Sequence, residues 1–225
     1  MNRYNVWSKW GKLKTVVLGT VYSPEYFREV KNDRIRSALQ QITEESIEDL
    51  ENYEHVLKSF GCNVLRPYIS SSASIMKDTH EGKVCRVPRP PLQPRDPFMT
   101  LGNKIYYGVS DHPAIYDVIK SYNPDIVRLD GLGCDAPYFT LVGKDLYVDD
   151  VRDDREPLQV RQRHIDIIRK TNPDLRINKL HIGGHNDGCF HTCKPGVLLS
   201  LRDIQTYEVT FPGWDVCYLP HQGFD

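Results

Sequence analysis

Five side chains able to move protons, hold cations or ligate metals fall within nine residues: His185, Asp187, Cys189, His191 and Cys193. Gly183-Gly184 frees the backbone before them, and Lys194-Pro195-Gly196 turns the chain into the apolar run Val197-Leu198-Leu199-Ser200. The cluster therefore belongs at a strand mouth. An extended chain from His185 places all five on one face and Asn186, Gly188, Phe190 and Thr192 on the other. Three chemistries suit such a face. A histidine can move protons near neutral pH while a carboxylate two residues on holds a cation. His185, Cys189, His191 and Cys193 could instead ligate zinc, although their spacing matches no standard zinc pattern. In the third reading the histidine is a satisfied structural residue and the thiols are small packing groups. The His-x-Asp reading leads. A second candidate group is Pro94-Arg95-Asp96-Pro97, where Asp96 stands at a hairpin entrance and Arg95 offers a planar fork for a substrate carboxylate.

The elements that must position these groups follow a repeated plan. Lys14-Thr15-Val16-Val17-Leu18-Gly19 reads as a strand after two tryptophans, Trp7 and Trp10, whose expected role is packing. A helix is predicted from Thr43 to Phe60, with Ile47, Leu50, Tyr53, Val56 and Leu57 inward and Gly61 beyond its end; Cys62-Asn63-Val64-Leu65 follows as a strand. Residues 66–94, rich in serine and proline, read as a long loop. It delivers a hairpin hinged at Gly102-Asn103, a helix over about Pro113 to Ser121 with Ala114, Ile115, Val118 and Ile119 inward, and the strand Ile126-Val127-Arg128-Leu129. A third unit pairs Ala136–Val142 with Leu146–Val148, adds a helix over about Pro157 to Thr171 with Val160, Ile165, Ile167 and Ile168 inward, and returns as Leu175-Arg176-Ile177. A fourth opens at Gly183 and runs through Val197–Ser200 to Val216–Leu219. The spacing predicts an internal repeat array in a single domain, 1–225.

Composition narrows the partners. With 29 Lys+Arg against 30 Asp+Glu the net charge is -1 and no basic run stands out, so a small molecule is expected rather than nucleic acid or an anionic membrane. The six cysteines form no disulfide framework, the amino end has no apolar signal core, and no apolar run is long enough to span a membrane. These features predict a soluble, cytoplasmic protein with reduced thiols. The sequence contains no phosphate-cradling glycine loop, so neither nucleotide nor organic cofactor is expected, and no metal.

Several of these motifs, taken together and in order, carry a resemblance. Pro91-Leu92-Gln93-Pro94-Arg95-Asp96-Pro97 followed by Gly102-Asn103-Lys104-Ile105-Tyr106 resembles the Pro-Arg-Asp and Gly-Asn hairpin of the glycine/inosamine amidinotransferases. His185-Asn186-Asp187-Gly188-Cys189-Phe190 with Pro195-Gly196-Val197-Leu198-Leu199-Ser200 is similar to their His-x-Asp and Pro-Gly block, and Asn5-x-Trp7 before Leu13–Gly19 to their opening strand. The resemblance implies an α/β, pentein-type propeller of repeated ββαβ units, with about four of five units present. It also implies chemistry in which a cysteine thiolate attacks a guanidinium carbon and an amine or water resolves the covalent amidino intermediate. Asp96 and Asp187 match positions that hold the guanidinium, and His185 matches the proton-transferring histidine. Opposed carboxylates suit a planar cation, since they leave its carbon open to attack.

The chain departs from the resemblance in two places. Tyr138 stands where an acidic residue is expected, and Asp135 nearby is the candidate to replace it. The nucleophilic cysteine of the resembled enzymes lies in a fifth repeat, and none of the six cysteines here matches its place; Cys189 is the one that adjoins His185. The expectation is an incomplete propeller that does not turn over arginine and that forms homo-oligomers through uncovered apolar flanks.

Overall fold

The computed structural model describes residues 5–69, 90–108, 113–123, 125–129, 136–149, 158–182, 184–201 and 207–220. They group into two compact units, one of Met1–Lys12, Arg95–Val109 and Asp125–Asp225, the other of Leu13–Pro94 and Ser110–Pro124.

In the unit built on residues 13–94, β1 (Thr15–Val17) pairs in parallel with β2 (Asn63–Leu65), and α1 (Asp33–Ser59) connects them. The helix starts well before the expected Thr43. Asn32 is the true cap, its side-chain oxygen accepting from the Ile35 N–H at 3.1 Å, and the following stretch to Ile42 contains no glycine or proline to stop a helix. The inward stripe is also narrower than predicted. Thr43, Leu50 and Leu57 lie seven apart, one above another, with Thr43 and Leu57 buried; Tyr53, Val56 and Phe60 face solvent in the adjacent row. Past β1 the chain meets the last part of the long loop: Thr20 N–H donates to the Pro91 carbonyl at 3.0 Å. A Cβ on Gly19 would sit 2.0 Å from the Leu92 carbonyl oxygen, so only glycine fits there. Residues 70–89, the middle of the predicted loop, lie outside the described residues. In α2 (Pro113–Tyr122) Ile115 and Ile119 are buried and Ala114 and Val118 half-buried, as their periodicity predicts.

The other unit repeats one sheet plan three times. A hairpin of antiparallel strands is followed by a third strand parallel to its second: β3 (Phe98–Leu101), β4 (Lys104–Tyr107) and β5 (Ile126–Arg128); β6 (Phe139–Val142), β7 (Asp145–Asp149) and β8 (Arg176–Leu180); β9 (Phe190–Lys194), β10 (Val197–Ser200) and β11 (Asp215–Tyr218). Gly102, Gly143 and Gly196 occupy the same hairpin position at φ 60, 61 and 79°, a left-handed conformation that costs glycine little. α3 (Leu158–Thr171) lies between β7 and β8, and the short α5 (Tyr207–Thr210) precedes β11. Alternating strand residues fill the core. Met99, Leu101, Tyr106, Phe139, Leu141, Leu146 and Val148 join Ile165 and Ile168 in one cluster, and Phe190 and Leu198 meet Tyr207 and Phe211 in another. The fold is mixed α/β built of repeated ββαβ units. The β6–β7 hairpin differs from expectation at its start: Ala136–Tyr138 is a buried 3-10 turn, and the strand begins at Phe139, because Pro137 cannot donate to a ladder.

Candidate functional site

The His185 segment is not extended. His185 has strand-like φ and ψ of -67 and 123°, but Asn186–Cys189 closes a single helical turn, α4, before β9 begins at Phe190. The predicted shared face of His185, Asp187, Cys189, His191 and Cys193 is therefore broken after His185. Its later part survives: His191 and Cys193 point outward while Phe190 and Thr192 are buried. The cause is Asn186, fully buried, whose amide donates to the carbonyls of Tyr138 at 2.7 Å and Tyr147 at 3.3 Å. Satisfying two buried carbonyls from one side chain fixes the backbone inward at that point and forces the turn.

Behind the turn lies a buried polar network that the sequence reading did not identify. The Asp149 carboxylate, at the end of β7, accepts from Ile182 N–H at 2.9 Å and Gly184 N–H at 3.2 Å, tethering the residues before His185. Arg161 of α3 is also buried; its Nη1 donates to the Asp149 carbonyl and stands 3.9 Å from the carboxylate. The same guanidinium lies 3.9 Å from the centroid of the Tyr138 ring, which in turn meets His185 edge-on at 4.9 Å. Arg161, Tyr138 and His185 thus stack in series, with Tyr138 at the place where an acidic partner was expected. A signal existed in the sequence. Arg161 and His164 interrupt the apolar stripe of α3, and both are buried.

Asp187 comes together with the other motif. Arg95 Nε stands 3.6 Å from Asp187 Oδ2, with side chains 40% and 31% exposed, and Arg95 also donates to the Phe139 carbonyl at 2.9 Å. The Asp96 carbonyl accepts from Ala136 N–H at 2.9 Å, which joins the Arg95-Asp96 segment to the turn carrying Tyr138. Asp135 and Gly183 lie outside the described residues.

A further cation joins this group. Lys9, which stands between the two tryptophans and was not singled out by sequence, has its Nζ buried without a hydrogen-bond acceptor among the described residues. Burial first, then the charge of Arg95, lowers its pKa to about 8, while Asp187 and Cys193 oppose the shift. His191 is held below the usual histidine range by burial and then by Lys9, with Asp187 opposing. Cys189 is pushed up, by burial and then by the negative charges of Asp149 and Asp187. Its thiol is therefore kept protonated, the reverse of an activated nucleophile. The zinc arrangement does not assemble: among the described residues, which include His185, Cys189, His191 and Cys193, no group of three or more His, Cys, Asp or Glu is placed to hold a metal ion.

No protein-family model and no curated protein sequence matches the chain. Solved structures do. An amidinotransferase of the saxitoxin biosynthetic pathway from Microseira wollei is similar at 16% identity and a TM-score of 0.67, over 96% of this chain and 75% of that one. The inosamine-phosphate amidinotransferase of Streptomyces griseus gives 16% and 0.68, over 98% and 76%. An agmatine deiminase of C. jejuni gives 12% and 0.60, over 96% and 73%. The chain has the pentein fold that amidinotransferases and guanidino hydrolases share, in the form of a partial α/β propeller. It spans about three quarters of each of these structures.

Proposed function

We propose that this chain is an amidinotransferase-like protein whose site binds arginine or a related guanidino compound in the manner needed to pass its amidino group to an amine, a reaction whose covalent step requires a cysteine thiolate. The observation that carries this reading is the approach of the two motifs: Arg95-Asp96 and His185-x-Asp187, far apart in sequence, meet at 3.6 Å in one place on a pentein fold. In this reading Asp96 and Asp187 hold the guanidinium in bidentate fashion and His185 protonates the departing amine and deprotonates the incoming one. Asp135 and Arg95 complete the binding set. The Arg95 pairing with Asp187 adds a feature of its own: an incoming guanidinium replaces one the chain already supplies.

The covalent step needs a thiolate, and Cys189 does not provide it. The expected behaviour of the 225-residue chain is accordingly binding of a guanidino ligand without turnover. Higher similarity to the two amidinotransferases, at 0.67 and 0.68, than to the deiminase, at 0.60, favours transfer over hydrolysis.

Calorimetric titration with arginine tests the binding, expected in the native chain and weakened in Asp187→Asn; absence of any heat with arginine or agmatine in the folded protein would overturn the reading. Labelled arginine tests the chemistry. Transfer yields ornithine and a new guanidine, hydrolysis yields citrulline or urea-type products, and turnover lost only in Cys189→Ser would make Cys189 the nucleophile after all.

A further inference from the structure

The backbone of His185 is tethered on both sides. Gly184 before it donates its N–H to the Asp149 carboxylate at 3.2 Å, and Asn186 after it donates its side-chain amide to the Tyr138 carbonyl at 2.7 Å. Those tethers fix where the Cα of His185 stands. They leave its ring to turn about χ1 and χ2, and proton transfer depends on the ring, since the reacting nitrogen must come within hydrogen-bond reach of its partner. Against that ring stands Tyr138, at a centroid separation of 4.9 Å and an interplanar angle of 89°, the edge-to-face geometry that aromatic pairs favour. Tyr138 is a fixed wall. It is wholly buried, its turn contains Pro137, and the Arg161 guanidinium rests 3.9 Å from its ring centroid. Arg161 is buried in turn and held from behind, its Nη1 donating to the Asp149 carbonyl.

We propose that Tyr138 is the positioning residue for His185, its ring pressed into place by Arg161 and setting the plane of the imidazole. The purpose of that positioning rests on the reading of His185 as the proton-transferring group, whereas the geometry stands without it. An acidic residue was expected where Tyr138 lies, and the exchange has a chemical meaning. A carboxylate orients a histidine by charge and so favours its protonated form, whereas a ring orients it by shape in either form. That suits a group which must both give up a proton and take one back. Arg161 serves such a wall better than lysine would, because its planar guanidinium stacks on an aromatic face and stays charged at any working pH.

The test is nuclear magnetic resonance of the ligand-free chain labelled in histidine and tyrosine, with the His185 resonances assigned by His185→Gln. Three-bond couplings report whether His185 χ1 occupies one well or averages over several. The native chain should show one well and cross-relaxation between the Tyr138 and His185 ring protons. Tyr138→Phe, which keeps the ring, should preserve the single well, and Tyr138→Leu should lose it while the Ile182 and Gly184 N–H groups stay protected from hydrogen exchange. A residue that merely supports the fold would release the imidazole and those amides together. In Arg161→Lys the Tyr138 ring should flip faster and His185 χ1 should average in part. A single χ1 well surviving in Tyr138→Leu, averaging accompanied by loss of amide protection, or Arg161→Lys without effect on either ring would overturn the proposal. Absence of the ring-to-ring cross-relaxation in the native chain would do so even if Tyr138→Leu does not fold. No guanidino compound enters the experiment, so failure to bind arginine sinks the proposed function and leaves this result standing, and a mobile imidazole in a chain that binds arginine does the reverse.

Discussion

Asp149→Asn probes the buried network behind His185. The substitution keeps the shape of the side chain but removes its charge and turns one acceptor into a donor. In the native chain the two carboxylate oxygens accept from Ile182 N–H at 2.9 Å and Gly184 N–H at 3.2 Å. An amide presents only one acceptor oxygen, so one of these N–H groups must face an NH2. Hydrogen bonds to a charged group contribute about 1.5 to 3 kcal/mol each, and the loss of one accounts for that much. The larger effect falls on Arg161. It is buried, and it stands 3.9 Å from the Asp149 carboxylate. Removing one partner of a buried ion pair costs roughly 3 to 5 kcal/mol, because a charge is left buried and uncompensated. The two effects overlap, since one carboxylate serves both, so about 3 to 5 kcal/mol is expected in total rather than the sum. Urea unfolding followed by tryptophan fluorescence measures it, together with Arg161→Met and the double variant. The double variant should recover part of the loss, because it removes both charges. A loss below about 1 kcal/mol in Asp149→Asn, or strict additivity in the double variant, would refute the coupling.

Other consequences are as concrete. Asp96→Asn and Asp187→Asn should each weaken arginine binding about ten- to hundredfold, the worth of one charge-assisted hydrogen bond of roughly 1.5 to 3 kcal/mol, as read by calorimetry; unchanged affinity in both would remove them from the site. Cys189, whose thiol is pushed up, should alkylate with iodoacetamide more slowly than the exposed Cys193 and Cys217 at neutral pH and gain speed only on the alkaline side of the free-thiol range, as followed residue by residue in mass spectrometry. Asp145 is held below the usual carboxylate range by the Arg176 guanidinium at 2.6 Å, so its contribution is present above the unfolded pKa and is lost as pH falls through the lower folded value; Asp145→Asn should flatten the acid limb of stability against pH. The effect is modest, since Arg176 is largely exposed. Gly19→Ala should destabilise by about 1 to 3 kcal/mol or more in urea, because its Cβ would meet the Leu92 carbonyl oxygen at 2.0 Å, backbone that cannot turn aside as a side chain does.

The fold was legible wherever pattern and punctuation agreed. The hairpins turning at Gly102, Gly143 and Gly196 combine β-branched or aromatic alternation with a residue that accepts positive φ, and each turns where predicted although two of them start later. α2 follows its periodicity to within a residue. Failures came where tertiary contacts outrank local signals. The sequence predicts a start of α1 at Thr43, a residue type that can cap a helix, whereas Asn32 does the capping and Thr43 is buried mid-helix. Its inward row was misjudged for a related reason. Tyr53 and Val56 are apolar and correctly spaced, but rows one step apart on a helix cannot be ranked by sequence unless the packing partner is known.

The candidate site was legible as a list of residue types and illegible as an arrangement. Period-two alternation put His185 and Cys189 on one strand face, and nothing in the neighbouring letters announces that Asn186 reaches two carbonyls on other elements, Tyr138 and Tyr147, and bends the chain into α4. The same limit hid Lys9, which lies far from Arg95 and Asp187 in sequence and beside tryptophans that suggest packing. Charge alone does not mark it, since most lysines are solvated; what marks it is an ammonium buried without an acceptor among the described residues, a property of three dimensions. Arg161 shows what a sequence can offer at best. A guanidinium on the apolar side of α3, one residue after Val160, is an anomaly that requires a buried anion, and the only way to name Asp149 as that anion is to know that β7 ends beside it. Types and spacings therefore identified which chemistry was available, and the partners that aim it came from the fold.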